Sequence, residues 1–98
     1  MAVLYITEYE DLARDSQGNI LMMGKEPAVA TQAVTFTTTT ASAAFSGQTN
    51  FVHLTADAAC HIAFALSPTA TTSNTKRQAD FSEFFGVRPS LKVAAVTA

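Results

Sequence analysis

The chain has 98 residues, room for one domain whose core hides roughly 60–65% of the unfolded surface. Charged side chains make up 14% of it against a typical ~25%, and 18 Ala and 14 Thr fill the deficit. A net charge of −2 argues against binding nucleic acid by electrostatics, and no apolar run approaches the ~20 residues of a membrane-spanning helix.

Short alternating runs separated by Gly, Pro, Asn, Asp and Ser predict an all-β fold. Their spacing predicts a single-domain antiparallel β-sandwich or small barrel of about eight short strands, spanning 1–98. Ala2–Glu8 reads as the first strand, with Val3 and Tyr5 on one face and Leu4 and Ile6 on the other. Residues 1–19 carry four of the eight acids and predict an N-terminal arm or edge strand that reaches a neighbour, so that its deletion weakens binding more than folding. Glu8–Asn19 is a polar connection with room for one helical turn at Glu10–Arg14 and a turn at Ser16–Asn19. Ile20–Met23 is a short apolar run broken by Gly24–Pro27.

Val29–Thr38 is a strand with Val34 and Phe36 on one face and Thr35 and Thr37 on the other. Ala41–Phe45 follows as a short strand. Asn50–Ala56 and Ala59–Leu66 predict a hairpin, although the Ala content also allows a helix over Asp57–Leu66. In the hairpin, Val52, Leu54, Cys60, Ile62 and Phe64 share the core face, and Phe51, His53, His61 and Ala63 point outward. The tightest register sets His53 opposite His61, so that acid would drive two imidazolium charges together and weaken any contact on that face below about pH 6. Ser67–Asn74 is a loop, Lys76-Arg77 a solvated tip, and Phe81–Val87 and Ser90–Thr97 the last strands.

Between Pro27 and Thr75 only Asp57 is charged, in 49 consecutive residues. A free domain of this size intersperses both signs of charge over its surface. Half a chain without them predicts outer faces that meet protein rather than water. The candidate interface residues are Tyr5, Thr35, Thr37, Phe51, His53, His61 and Ala63. Cys60 is alone, so no internal disulfide forms, and the thiol behaves as a small core hydrophobe.

No phosphate-binding Gly-rich loop, H-E-x-x-H or C-x-x-C occurs, and no Ser is marked as a nucleophile. The expectation is a protein without catalytic residues, cofactor or metal. Two His fall short of a zinc site, which needs three or four protein ligands. The opening lacks a basic secretory n-region, which predicts a protein made in a reducing, cytoplasmic compartment.

Three stretches, MAVLYITEYEDLARDSQGN, FVHLTADAACHIAFALSPTAT and ADFSEFFGVRPSLKVAAV, together resemble small virion proteins of tailed bacteriophages. In these, a strand ending T-A-D-A precedes one like CHIAFALSPTAT, and an E-[FY]-F-G-V segment follows. The resemblance implies a β-sandwich structural protein on the capsid surface: a decoration or cement protein that binds the major capsid protein or other virion proteins. It also implies self-association, a trimer being one form. A tail, connector or head-fibre component is the neighbouring alternative. A carbohydrate-binding adhesion module is a third, with Tyr5, Tyr9 and Phe85 as the stacking residues.

Overall fold

A computed structural model describes residues 2–98; Met1, the first residue of the expected arm, lies outside them. The described residues form ten strands and no helix. Two four-stranded antiparallel sheets face each other across one core, and a separate two-stranded hairpin stands beside them. The all-β sandwich expected from the alternation is present.

The first sheet has the order β4-β1-β6-β9, built from β1 (Ala2–Tyr9), β4 (Ala30–Phe36), β6 (Phe51–Ala56) and β9 (Ser82–Gly86). The second has the order β5-β10-β7-β8, from β5 (Thr40–Ala41), β7 (Cys60–Ala65), β8 (Thr75–Arg77) and β10 (Lys92–Thr97). The hairpin pairs β2 (Leu12–Arg14) with β3 (Ile20–Gly24).

Period-2 alternation sets what is buried. Leu4, Ile6, Phe36, Val52 and Leu54 point inward from the first sheet, and Cys60, Ile62, Val93 and Ala95 meet them from the second. Phe45, in the irregular stretch after β5, adds a further buried ring. The mostly β-branched and large apolar inner positions fit a pleated face packed against another, as a sandwich requires.

Four expectations are corrected. β1 is no edge strand: it lies between β4 and β6, paired along Ala2–Glu8 with one and along Leu4–Tyr9 with the other. The projecting element is instead the β2–β3 hairpin, where strand rather than a helical turn occupies Leu12–Arg14. Its Asp15–Asn19 turn matches the turn expected there, with Gly18 at φ 86°, a conformation free of strain only for glycine.

The expected hairpin of Asn50–Ala56 with Ala59–Leu66 is not formed. β6 and β7 belong to opposite sheets, joined by an arch. The arch is pinned on both sides. The Asp57 carboxylate accepts the Val3 N–H at 2.8 Å, and Asp57 N–H donates to the Val3 carbonyl, extending β6 along β1 by one residue. Two residues on, the Ala59 carbonyl accepts the Ala98 N–H beyond β10. Face parity was right, since Leu54 and Cys60 are both fully buried. Parity says which side chains face the core. It does not say whether two strands lie beside each other or across the core from each other.

The strand at Thr75–Arg77 replaces the expected solvated tip. Arg77 packs its guanidinium 5.5 Å over the Phe85 ring and bonds Glu83 through Nη2 at 3.1 Å, with Nε 2.9 Å from the other carboxylate oxygen. This pair spans from β8 to β9 and closes one side of the sandwich. On the opposite side, Gln32 exchanges two hydrogen bonds with the backbone of Ala43.

Glu8 is a buried carboxylate at one end of the core, 2% exposed. It accepts from the Ser46 N–H and the Thr49 hydroxyl, each at 2.8 Å, and from the Gln32 amide at 3.1 Å. These bonds staple the irregular stretch 42–50 onto the first sheet.

Candidate interaction surface

The first sheet turns thirteen side-chain positions outward: Val3, Tyr5, Thr7 and Tyr9 of β1; Thr31, Ala33 and Thr35 of β4; Phe51, His53 and Thr55 of β6; Ser82, Phe84 and Gly86 of β9. None is Asp, Glu, Lys or Arg. The charge-poor sequence therefore becomes a charge-free face, to which β9 contributes from beyond Thr75. Antiparallel sheets with one wet face ordinarily place polar and charged residues there.

One end of this face is aromatic. Tyr9 and Phe51 stack with centroids 5.4 Å apart and 18° between their planes, and Phe84 tilts against both at 6.2 and 5.8 Å. His53 abuts Phe84 at 4.9 Å. Phe84 is 42% exposed and Tyr5 48%. The other end, on β4, is small and flat, made of Thr31, Ala33 and Thr35.

Tyr9 links this face to the hairpin. Its hydroxyl donates to Glu26 at 2.7 Å, and its ring lies so close to Gly24 that any Cβ there would overlap it. Burial and the Glu26 carboxylate hold the phenol above the usual tyrosine range. Beyond this joint the hairpin carries Ile20, Met22 and Met23, all more than half exposed, with Met22 at 84%. At its tip, the Asp15 carboxylate accepts the backbone N–H groups of Asn19 and Gln17, which hold it below the ordinary carboxylate range. The uncovered apolar surface thus runs from the aromatic end of the sheet out along the arm.

Of the candidate interface residues, Tyr5, Thr35, Phe51 and His53 fall on this one face. Thr37 lies just past β4, where its carbonyl accepts the Thr97 hydroxyl at 2.8 Å. His61 and Ala63 do not belong to this face. They point to the outer side of the second sheet, where His61 is buried against the chain's own segment 66–74 and Ala63 is half-buried. That segment is tied to Thr39 through the Ala70 N–H at 2.8 Å and returns to the His61 Nδ1 through the Asn74 carbonyl at 3.0 Å. It thereby crosses the outer side of β10 and β7, and His61, Ala70 and Ala94 are buried beneath it or within it. The two histidines are on different sheets, so the expected imidazolium repulsion has no geometry.

The aromatic platform also differs from the expected one. Phe85 points inward against Phe64 at 5.3 Å, and Tyr9 is 8% exposed. Only Tyr5 of the three named for sugar stacking is open. The sequence marks the arm's Ile20, Met22 and Met23 only as part of a short apolar run. The signal for the arm was ILMM, an apolar run in a polar, Gly-bounded segment, too short to read as a core strand.

His53 Nε2 lies 2.6 Å from the Ser82 hydroxyl. A hydrolytic serine needs its histidine oriented by a third group; among the described residues no side chain bonds the other ring nitrogen of His53. Among those residues no three His, Cys, Asp or Glu side chains are arranged to hold a metal. No protein-family model, curated protein or solved structure matches the chain.

Proposed function

We propose that this protein is a non-catalytic structural subunit that docks onto a larger assembly through the outer face of the first sheet and the β2–β3 arm. The observation that supports it is the charge-free outer face, with Tyr5 and Phe84 open and the apolar arm continuing from its aromatic end. Aromatic and Met side chains enrich the centres of protein interfaces, and charged residues are depleted there. Ala and Thr lose little side-chain entropy on burial, so a flat Thr/Ala face adds contact area at low cost.

The resemblance to small virion proteins of tailed phages makes the capsid shell the assembly and decoration or cementing the role, with the major capsid protein beneath. A tail, connector or head-fibre position would use the same face. The test is co-sedimentation of the purified protein with shells of the encoding phage that lack it. Binding should saturate at a fixed ratio to the shell protein. Tyr5→Lys and Met22→Glu should each weaken it about tenfold or more while the isolated fold is kept. Shells that bind nothing would refute the shell as partner, and folded variants that bind like the parent would refute the surface.

A further inference from the structure

The four strands at the sheet edges are not alike. β5 has two residues, β8 has three and carries Lys76 and Arg77, and β9 has five and carries Glu83. β4 has seven residues, Ala30–Phe36, with no charge and no proline. Short length and charge are the ordinary defences of a sheet edge against pairing with another chain, and β4 has neither.

Its open hydrogen-bonding groups can be assigned. On β1, Val3 directs both backbone groups toward Asp57 at the end of β6, whereas the Glu8 carbonyl accepts the Val29 N–H on the β4 side. Antiparallel strands alternate in this respect, so even-numbered residues of β1 bond β4. Their partners are Ala30, Gln32, Val34 and Phe36. The N–H and C=O groups of Thr31, Ala33 and Thr35 therefore point away from the sheet, and all three residues are exposed.

We propose that this edge pairs with the same edge of a second copy. The three open residues are symmetric about Ala33. A two-fold axis there pairs Ala33 with Ala33 of the other copy and Thr31 with Thr35 in both directions, each residue exchanging its N–H and C=O with its partner. Such isologous pairing is closed and self-limiting. It joins two first sheets into one of eight strands with a single continuous outer face. No charged side chain opposes another along the seam, Ala allows close approach at the axis, and Thr–Thr neighbours are favourable cross-strand pairs. A second copy is the occupant because the edge is complementary to itself in groups, spacing and charge. The pairing does not depend on the partner proposed for the outer face.

The test is sedimentation equilibrium together with amide exchange on the purified chain. The expected mass is twice 10.4 kDa at high concentration. The Thr31, Ala33 and Thr35 amides should be protected about tenfold or more there and lose that protection on dilution, while Gln32 and Val34 stay protected throughout. Ala33→Pro removes only an outward N–H, and Ala33→Lys sets two like charges face to face across the axis. Either variant should give a folded monomer, and two variants guard against one failing to fold. A chain monomeric at every concentration, a trimer, a dimer with those three amides unprotected, or a dimer surviving both substitutions would each overturn the pairing.

Discussion

Cys60 and Glu8 show two ways in which a single side chain is committed to this fold. Cys60 is fully buried in the core, and that burial pushes its thiol pKa up against the opposing pull of Arg77. It should resist alkylation in the native protein and react on unfolding. Cys60→Ser should cost about 1–3 kcal/mol, because a hydroxyl enters an apolar site without an assured partner. Denaturant titration and timed alkylation check both; rapid native labelling would show the site is open. Glu8 stands where alternation reserves an inward position, and its carboxylate is acceptor to three separate donors. Glu8→Ala should cost about 2–4 kcal/mol, since the Thr49 hydroxyl and the Ser46 N–H lose their acceptor inside the protein. A loss under 1 kcal/mol in urea titration would mean that Phe45 and the bonds of Ser42, Ala43 and Asn50 hold the stretch 42–50 without this carboxylate. Cys60 was legible in the sequence from strand parity. Glu8 was not, because the donors that make a buried carboxylate tolerable come from residues 24 to 41 positions away.

Among the elements, the β2–β3 arm is fixed at its base, where Asn50 donates to the Glu10 carbonyl and the Tyr9 ring packs against Gly24. Gly24 leaves space that the Tyr9 ring fills, and Tyr9 in turn holds Glu26. Gly24→Ala should push the ring aside and break that hydrogen bond. The arm amides from Leu12 to Gly24 should then exchange faster, while those of β1 and β6 change little. Unchanged exchange in the arm would show that the strand pairing of β2 with β3 and the Asn50 bond hold it without the Tyr9 contact. Most strands were legible as alternating runs: Ala2–Glu8, Val29–Thr38 and Ser90–Thr97 each contain an observed strand nearly in full. β2 and β8 were not, at three residues each, because so few positions show no periodicity. Their strand character comes from the partner they pair with.

At the scale of the molecule, which strand neighbours which was the least legible property. The 1–19 segment looked peripheral by its acids, yet its first half is the interior strand of the first sheet. Local composition reports solvation of the loop at Glu10–Asn19 and is silent about β1's two partners. Deleting residues 1–9 should abolish folding outright, since β4 and β6 would lose their common neighbour. Circular dichroism and thermal melting of the truncated chain check this; a cooperative melt would mean that β4 and β6 can close up without β1. The face chosen for contact was half legible. Tyr5, Thr35, Phe51 and His53 follow from parity alone, whereas His61 and Ala63 lie on the second sheet, where segment 66–74 covers His61 along a path set by Thr39 and Asn74.

The arch between β6 and β7 has a kinetic consequence. Within the two sheets only β7 and β8 are both consecutive in sequence and paired; every other pairing waits for distant segments to meet. Neither sheet can therefore assemble ahead of the other, because the chain passes back and forth between them. Folding should be slow for so small a protein and should occur in one concerted step, as loop-closure entropy is spent before most contacts form. The arm is the exception: its pairing is local in sequence and should form and open independently of the sandwich.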